Sequence, residues 1–349
     1  MIGNERLILV GGPGGVGKTT VAATLGVRLA EKGNKTLVLT VDPARRLAQA
    51  LGFDGFSSDV QKVDGLTAGS GELYATMLDT NRYFDKIIER FSANANQKEK
   101  ILNNPIYRTM VESLGGTHEY AAMERLYELS LDTTYDKIVV DTPPMQNAVD
   151  LLKAPERLAA FMDNSVLRWF QGTPSFSRRI LQTGTRVAVK MMRSLLGPEF
   201  LESFQELMND FEGLQYGFQE RHKAVQRLLS DSRTGFLIVT NPSPERFRES
   251  LAFREALKVQ GIFLKGVILN RLEPAVPAYA FIPGGLSESE QALVETWTHF
   301  HRHIWERQTE WTKGFQKSLG ATPLRIIPRE TEMIHSLASL SRLGALLIS

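Results

Sequence analysis

The sequence predicts an α/β fold: a doubly wound, mostly parallel sheet with a helical insertion subdomain. Three observations lead there. Apolar, β-rich runs alternate with helical stretches through most of the 349 residues, as expected of parallel strands covered by helices on both faces. Asp42, Asp141, Asn241 and Asn270 each follow or close one of these runs, and ligands of such sheets sit at the carboxyl ends of the strands. From about residue 150 to 232 the strand signal stops and apolar residues recur at helical spacing. Residues 1–349 therefore read as one domain, with 150–232 as a helical insertion within it.

Leu7-Ile8-Leu9-Val10 is the first expected strand. It enters Gly12-Pro13-Gly14-Gly15-Val16-Gly17-Lys18-Thr19, which fits G-x-x-x-x-G-K-[ST], and Thr20 to Leu25 leaves it with helical character. Strand, loop and helix in this order form the setting of a P-loop, which points to P-loop NTPase topology. Backbone N–H groups of such a loop converge on an anion, aided by the helix N-terminus. The expected phosphate-binding residues are Gly14, Gly15, Val16, Gly17, Lys18, Thr19 and Thr20. Lys18 would reach the β- and γ-phosphates and the Thr19 hydroxyl would hold Mg²⁺. Pro13 neither donates an N–H nor carries charge.

Thr36–Val41 reads as the second strand, ending at Asp42-Pro43, and Glu72–Leu78 as the third. A helix around 81–91 follows, and 95–131 is mostly helical with a break at Gly115-Gly116. Lys137–Asp141 is the next buried strand, ending at Thr142-Pro143-Pro144. Inside the insertion, Leu151–Met162, Val187–Leu196 and Phe200–Leu229 have helical spacing. Strands resume at Phe236–Thr240, Lys265–Asn270 and Leu324–Ile327, with helices near 244–260, 287–317 and 330–346.

Hydrolysis needs more than a phosphate cradle: a carboxylate for the Mg²⁺ shell and a group that orients water. Asp141, at the end of an Ile-Val-Val strand, has the Walker B position. Asp42 can reach the same crevice and orient the water; the simpler roles are a capping aspartate and a turn aspartate, respectively. The expected catalytic set is thus Lys18, Asp42 and Asp141, with Thr19 and Asp141 at the metal and ATP or ADP with Mg²⁺ as cofactors.

Gly14 to Thr20, Asp42-Pro43-Ala44 and Asp141-Thr142-Pro143-Pro144, in this order, resemble the arsenical pump-driving ATPases, a family that includes the tail-anchored-protein targeting ATPases. The resemblance implies that Asp-Pro-Ala is a switch whose aspartate activates water, and that Asp-Thr-x-Pro couples the γ-phosphate to a helical subdomain. It also implies adenine contacts at Asn270 and at the Ile327-Pro328 loop, hence Pro328, and a nucleotide-controlled dimer. The sequence departs from the family at Pro13, where a signature lysine normally reaches across to the partner's nucleotide. Arg45 or Arg46 is a candidate to supply that charge; two solvated helix arginines are the alternative.

A net charge of +2 gives no global reason to expect nucleic acid or an anionic membrane. The absence of cysteine excludes disulfides, thiolate metal sites and cysteine nucleophiles, and with them zinc-stapled dimers and thiolate arsenite sites. No stretch approaches the ~18 apolar residues of a spanning helix, and no secretory signal fits, so a cytoplasmic protein is expected. Met162, Val166, Leu167, Trp169, Phe170, Met191, Met192, Leu195 and Leu196 precede a stripe of Phe200, Leu201, Phe204, Leu207, Met208 and Phe211. This stripe either packs the helices together or forms a groove for a hydrophobic client segment. Arg178, Arg179, Arg186, Lys190 and Arg193 form a basic face, read as solvated with nucleic acid or an acidic partner as the alternative. Ile334, Leu337, Leu340, Leu343 and Leu346 form an apolar one, read as core with a membrane-anchoring tail as the alternative.

The resulting expectation is a Mg²⁺-dependent ATPase that acts as a homodimer, or as a heterodimer with a paralogue, and couples hydrolysis to a client. The alternatives are a partition or positioning ATPase acting on DNA or a membrane surface, and a nucleotide-binding scaffold with little turnover.

Overall fold

The computed structural model describes residues 1–41, 48, 51, 53, 59–66, 71–78, 80–113, 117–142, 198–212, 214–275, 287–330, 332, 334 and 336–348. Among the described residues eight strands form one sheet: β1 (Leu7–Gly11), β2 (Lys35–Thr40), β3 (Gln61–Lys62), β4 (Glu72–Met77), β5 (Lys137–Asp141), β6 (Thr234–Thr240), β7 (Leu264–Leu272) and β8 (Leu324–Pro328). Their order is β3-β4-β2-β5-β1-β6-β7-β8. Every neighbouring pair is parallel except β3–β4. The α/β, mostly parallel expectation therefore holds.

Central position explains composition. β1 and β6 are buried at every residue, as strands covered on both faces must be. After β1 the chain crosses to β2 on one side, and after β5 it reaches β6 on the other. This reversal of direction at β1 opens a crevice at the carboxyl ends, where ligands of such sheets bind.

Helix α1 (Lys18–Glu31) follows β1 directly and buries Val21, Ala22, Ala23, Leu25, Val27 and Ala30. Its small residues allow close approach: a Cβ at Gly26 would run into the Val38 side chain of β2. The last helix, Leu337–Leu347, packs on α1 through Leu340, Leu343 and Leu347, while Leu346 stays outside. A Cβ at Gly344 would lie 2.9 Å from the Arg28 Cβ. The C-terminal apolar face is thus core, as its spacing suggested. It starts at 337 rather than 330 because Ser336 and Ser339 form a reciprocal cap there.

The chain divides into two compact units. The first contains the sheet: Met1–Leu78, Ser130–Ala148 and Leu229–Ser349. The second combines Asp79–Leu129 with Val149–Leu228, so helices α2 (Thr80–Phe91), α3 (Ala95–Asn103), α4 (Pro105–Ser113) and α5 (Thr117–Leu131) cluster with α6 (Pro198–Glu212) and α7 (Gln215–Leu229). The expected stretch 200–229 is thereby two helices, broken near Leu214. Residues 151–197, with their methionine-rich and basic segments, lie outside the described residues, as do Gly115-Gly116.

Within the second unit the stripe on α6 turns inward. Leu207, Met208 and Phe211 are buried, while Phe200 is exposed and stacks on Phe204. Asn104 and Gln97 donate to the carbonyls of Ser203 and Asp210 at 2.8 and 2.6 Å, tying α6 to the helices before it. Tyr120 packs between Phe84 and Phe218. Glu124, fully buried, is shared by Arg90 at 2.9 Å and Arg221 at 3.1 Å, a pairing that offsets part of its desolvation.

Among the described residues, the remaining helices belong to the first unit: α8 (Pro244–Val259), α9 (Glu288–Leu319) and α10, the last helix. The two-residue edge strand β3 carries no sequence signal; it pairs antiparallel with β4, and Lys62 bridges to Glu72 of β4 at 2.5 Å, while Lys35 of β2 meets the same carboxylate at 3.3 Å. Among the described residues no helix is long and apolar enough to cross a membrane.

Candidate functional site

The P-loop lies between β1 and α1 at the carboxyl edge of the sheet. Two of its glycines are sterically required. A Cβ at Gly12 would collide with the Val239 carbonyl of β6, and Gly17 has φ 94° and touches Asn270. Gly17 is also the N-cap of α1 and makes no side-chain cap, leaving the first N–H groups of the helix directed at the loop. Gly14 and Gly15 are exposed at the loop surface, whereas Val16 is buried, and Thr20 lies half-buried in the first turn of α1.

Lys18 is buried and its Nζ donates to the Pro13 carbonyl at 3.0 Å. Pro13 thus contributes an acceptor to the loop but no cation. Thr19 Oγ1 donates to Asp141 Oδ2 at 2.6 Å, and Thr40 Oγ1 reaches the same oxygen at 3.2 Å. Strand order brings them together: Asp141 pairs with Val10 on one side and Thr40 on the other. Next to it, the Thr142 hydroxyl and amide donate to the Val10 carbonyl at 3.0 and 3.1 Å, fixing the end of β5.

A hydroxyl and a carboxylate oxygen side by side are hard donors. They suit Mg²⁺, which takes few protein ligands and completes its octahedron with water and phosphate oxygens. Among the described residues no group of three His, Cys, Asp or Glu could cage an ion. The described residues therefore fit a phosphate-bound Mg²⁺.

Asn270, on β7, is buried and its Nδ2 donates to the Val16 carbonyl at 2.8 Å. Pro328 ends β8 opposite Leu272, which places the two expected base contacts on neighbouring strand ends. Asn241, just past β6, has a buried Oδ1 with no hydrogen-bond partner. Asp42 to Ala44, Arg45, Arg46 and Pro143-Pro144 lie outside the described residues. The structure therefore gathers the loop, Asp141, Asn270 and Pro328 along one edge.

Sequence reasoning missed two participants, Thr40 and Arg271, and gave Thr142 only as part of the Asp-Thr-x-Pro motif. Thr40 looks like an ordinary strand residue, and only register places it beside Asp141. Arg271 donates from Nη1 to the Gly15 carbonyl at 3.3 Å, which no spacing rule suggests.

Comparison with known proteins agrees with this geometry. The profile of the anion-transporting ATPases matches residues 5–282. A protein of Aquifex aeolicus (strain VF5) bearing the name of an arsenical pump-driving ATPase is 26% identical over 301 residues, covering 84% of this chain and 89% of the relative. ATPase GET3B of Arabidopsis thaliana is 27% identical over 290 residues, covering 77% of this chain and 65% of the relative. The ATPase ASNA1 homolog of Cryptosporidium parvum (strain Iowa II) is 24% identical over 292 residues, covering 83% of this chain and 70% of the relative. The chain belongs to the anion-transporting ATPase family and is a nucleotide-binding ATPase.

Proposed function

We propose that this chain is a Mg²⁺-dependent, ATP-hydrolysing switch that works as a dimer and couples nucleotide state to a client through its helical unit. The observation that carries the reading is the 2.6 Å contact between Thr19 and Asp141 beside the P-loop. When bound with ATP, Mg²⁺ would supply charge neutralisation for the phosphate chain. Thr19 and Asp141 would hold it, directly for the hydroxyl and directly or through water for the carboxylate. Lys18 would exchange the Pro13 carbonyl for phosphate oxygens, a stronger acceptor for a cation. Asp42, two residues after Thr40 in the sequence, would orient the attacking water.

Asn270 and Pro328 would border the adenine; Asn270 also anchors the loop through Val16. The relatives' names speak of arsenical pumping and of GET3-type ATPases. With no cysteine in the sequence, capture of arsenite by thiolates is not part of this reading. A hydrophobic protein segment is the client it favours, with exposed Phe200 and Tyr216 on the helical unit as available apolar surface.

Two measurements test this. Steady-state ATP hydrolysis with and without Mg²⁺, repeated on Asp42→Asn, should show metal-dependent turnover that the substitution removes. Sizing the protein with ADP and with a non-hydrolysable ATP analogue should show a shift between monomer and dimer. Turnover equal in Asp42→Asn sinks the enzymatic role given to Asp42, and one size in both states sinks the switch.

A further inference from the structure

We infer that Arg271 is a second cation for the phosphate chain of the bound nucleoside triphosphate, acting beside Lys18. The inference rests on the nucleotide reading above and adds a residue to it. Among the described residues, Arg271 is the one non-glycine with positive φ, at 61°. An arginine gains nothing intrinsic from the left-handed region, and such outliers persist where the surroundings over-determine them.

The surroundings here are specific. The β7–β8 pairing shifts register between Leu269 and Leu272, so Asn270 and Arg271 take up the irregularity. The chain is held on both sides of it. Asn270 Nδ2 donates to the Val16 carbonyl at 2.8 Å, and the Arg329 amide donates to the Leu272 carbonyl at 2.8 Å. In a regular strand, consecutive side chains point to opposite faces. The positive φ lets both residues reach one loop: Asn270 at Val16, Arg271 at Gly15.

The contact that Arg271 makes does not by itself account for that geometry. Its guanidinium is exposed, and 3.3 Å to a neutral carbonyl is a weak bond. A phosphate oxygen is a far better acceptor, and the guanidinium fork suits phosphate better than an ammonium does. The loop would thus carry one cation on each of two carbonyls, Lys18 on Pro13 and Arg271 on Gly15. Both would transfer to an arriving polyphosphate. Pro13 contributes no charge, so the added cation has work to do in neutralising a triphosphate.

The test is calorimetric binding of a non-hydrolysable ATP analogue, ADP and adenosine to the whole protein and to Arg271→Gly and Arg271→Lys, with a thermal melt of each protein free of nucleotide. Arg271→Gly relieves the positive φ, so its melting temperature should equal or exceed that of the unsubstituted chain. Its affinity for the analogue should fall roughly 10- to 100-fold, as for a lost hydrogen bond to a charged group, with adenosine unaffected. Arg271→Lys should fall between the two. Unchanged analogue affinity in Arg271→Gly overturns the inference. So does an equal loss for adenosine with a lowered melt, which would make Arg271 a brace for the loop. An unsubstituted chain that binds no analogue overturns the nucleotide reading itself, and this inference with it.

Discussion

Thr19 and Asp141, 122 residues apart, meet at 2.6 Å between the first turn of α1 and the end of β5. The contact joins the phosphate loop to the strand that follows the first helical segment. On the proposed function it would offer Mg²⁺ a hydroxyl and a carboxylate oxygen whose spacing is set by a helix and a strand.

Asp141→Asn keeps the shape of that contact and removes its charge. The apparent affinity for Mg²⁺ in ATP hydrolysis should fall about 10- to 100-fold, the usual loss for a partner that orients a metal ligand. A Mg²⁺ titration of turnover checks this, with a thermal melt to confirm folding. An unchanged Mg²⁺ dependence would remove Asp141 from the metal shell.

Gly17→Ala should both strain the loop and displace Asn270, because φ at this position is 94° and a Cβ would meet the Asn270 amide. The expected destabilisation is about 1–3 kcal/mol, read as a lower urea midpoint, together with weakened nucleotide binding. Gly33→Ala is the control. Its φ is 89°, but nothing lies near the added Cβ, so it should lose stability without losing nucleotide.

Glu128 probes the helical unit. Burial pushes its carboxyl up, but hydrogen bonds from the Tyr83 hydroxyl and Arg90 outweigh burial and hold it below the ordinary carboxylate range. A lowered folded value stabilises the protein above the unfolded value of 4.5 and ceases to do so as pH falls through the folded one. Glu128→Gln should therefore cost about 1–2 kcal/mol at neutral pH, after discounting for the partial exposure of the site. The gap between the two proteins should close below pH 4.5. Urea titrations at neutral and acid pH, followed by circular dichroism, read the difference. A gap that widens in acid would reverse the assignment.

Leu343→Ala tests the last helix as core. Leu343 is 3% exposed and lies in the hydrophobic cluster that α10 shares with α1, so truncation should cost about 2–5 kcal/mol. The urea midpoint reads it directly, and Leu346→Ala, on the exposed side of the same helix, should be nearly neutral.

Much of the first unit was legible beforehand. β1, the P-loop and α1 follow from a local pattern, as do the strands ending at Thr40, Asp141 and Thr240. Each is an apolar run whose length and neighbours identify it. The two-residue β3 was not legible, because it is defined by its antiparallel pairing with β4 rather than by an apolar run of its own. That helices 80–131 cluster with those from 198 onward was not legible either, because an apolar helix face does not reveal which partner it covers. Half of the apolar stripe on α6 proved to be interior, since helical spacing is the same for a core face and for a groove.

The sequence by itself determined that the chain has a phosphate loop between a buried strand and a helix, and that a carboxylate follows a later buried strand. These are short-range facts, written in consecutive residues. The tertiary structure decided which distant residues share the loop. Strand order placed β5 between β1 and β2 and so brought Asp141 to Thr19 and Thr40. A register shift between β7 and β8 turned Arg271 toward Gly15. The physical reason is the same in both cases. Pairing and register depend on backbone hydrogen bonds between segments far apart in the chain, and a one-residue change in register sends a side chain to the opposite face.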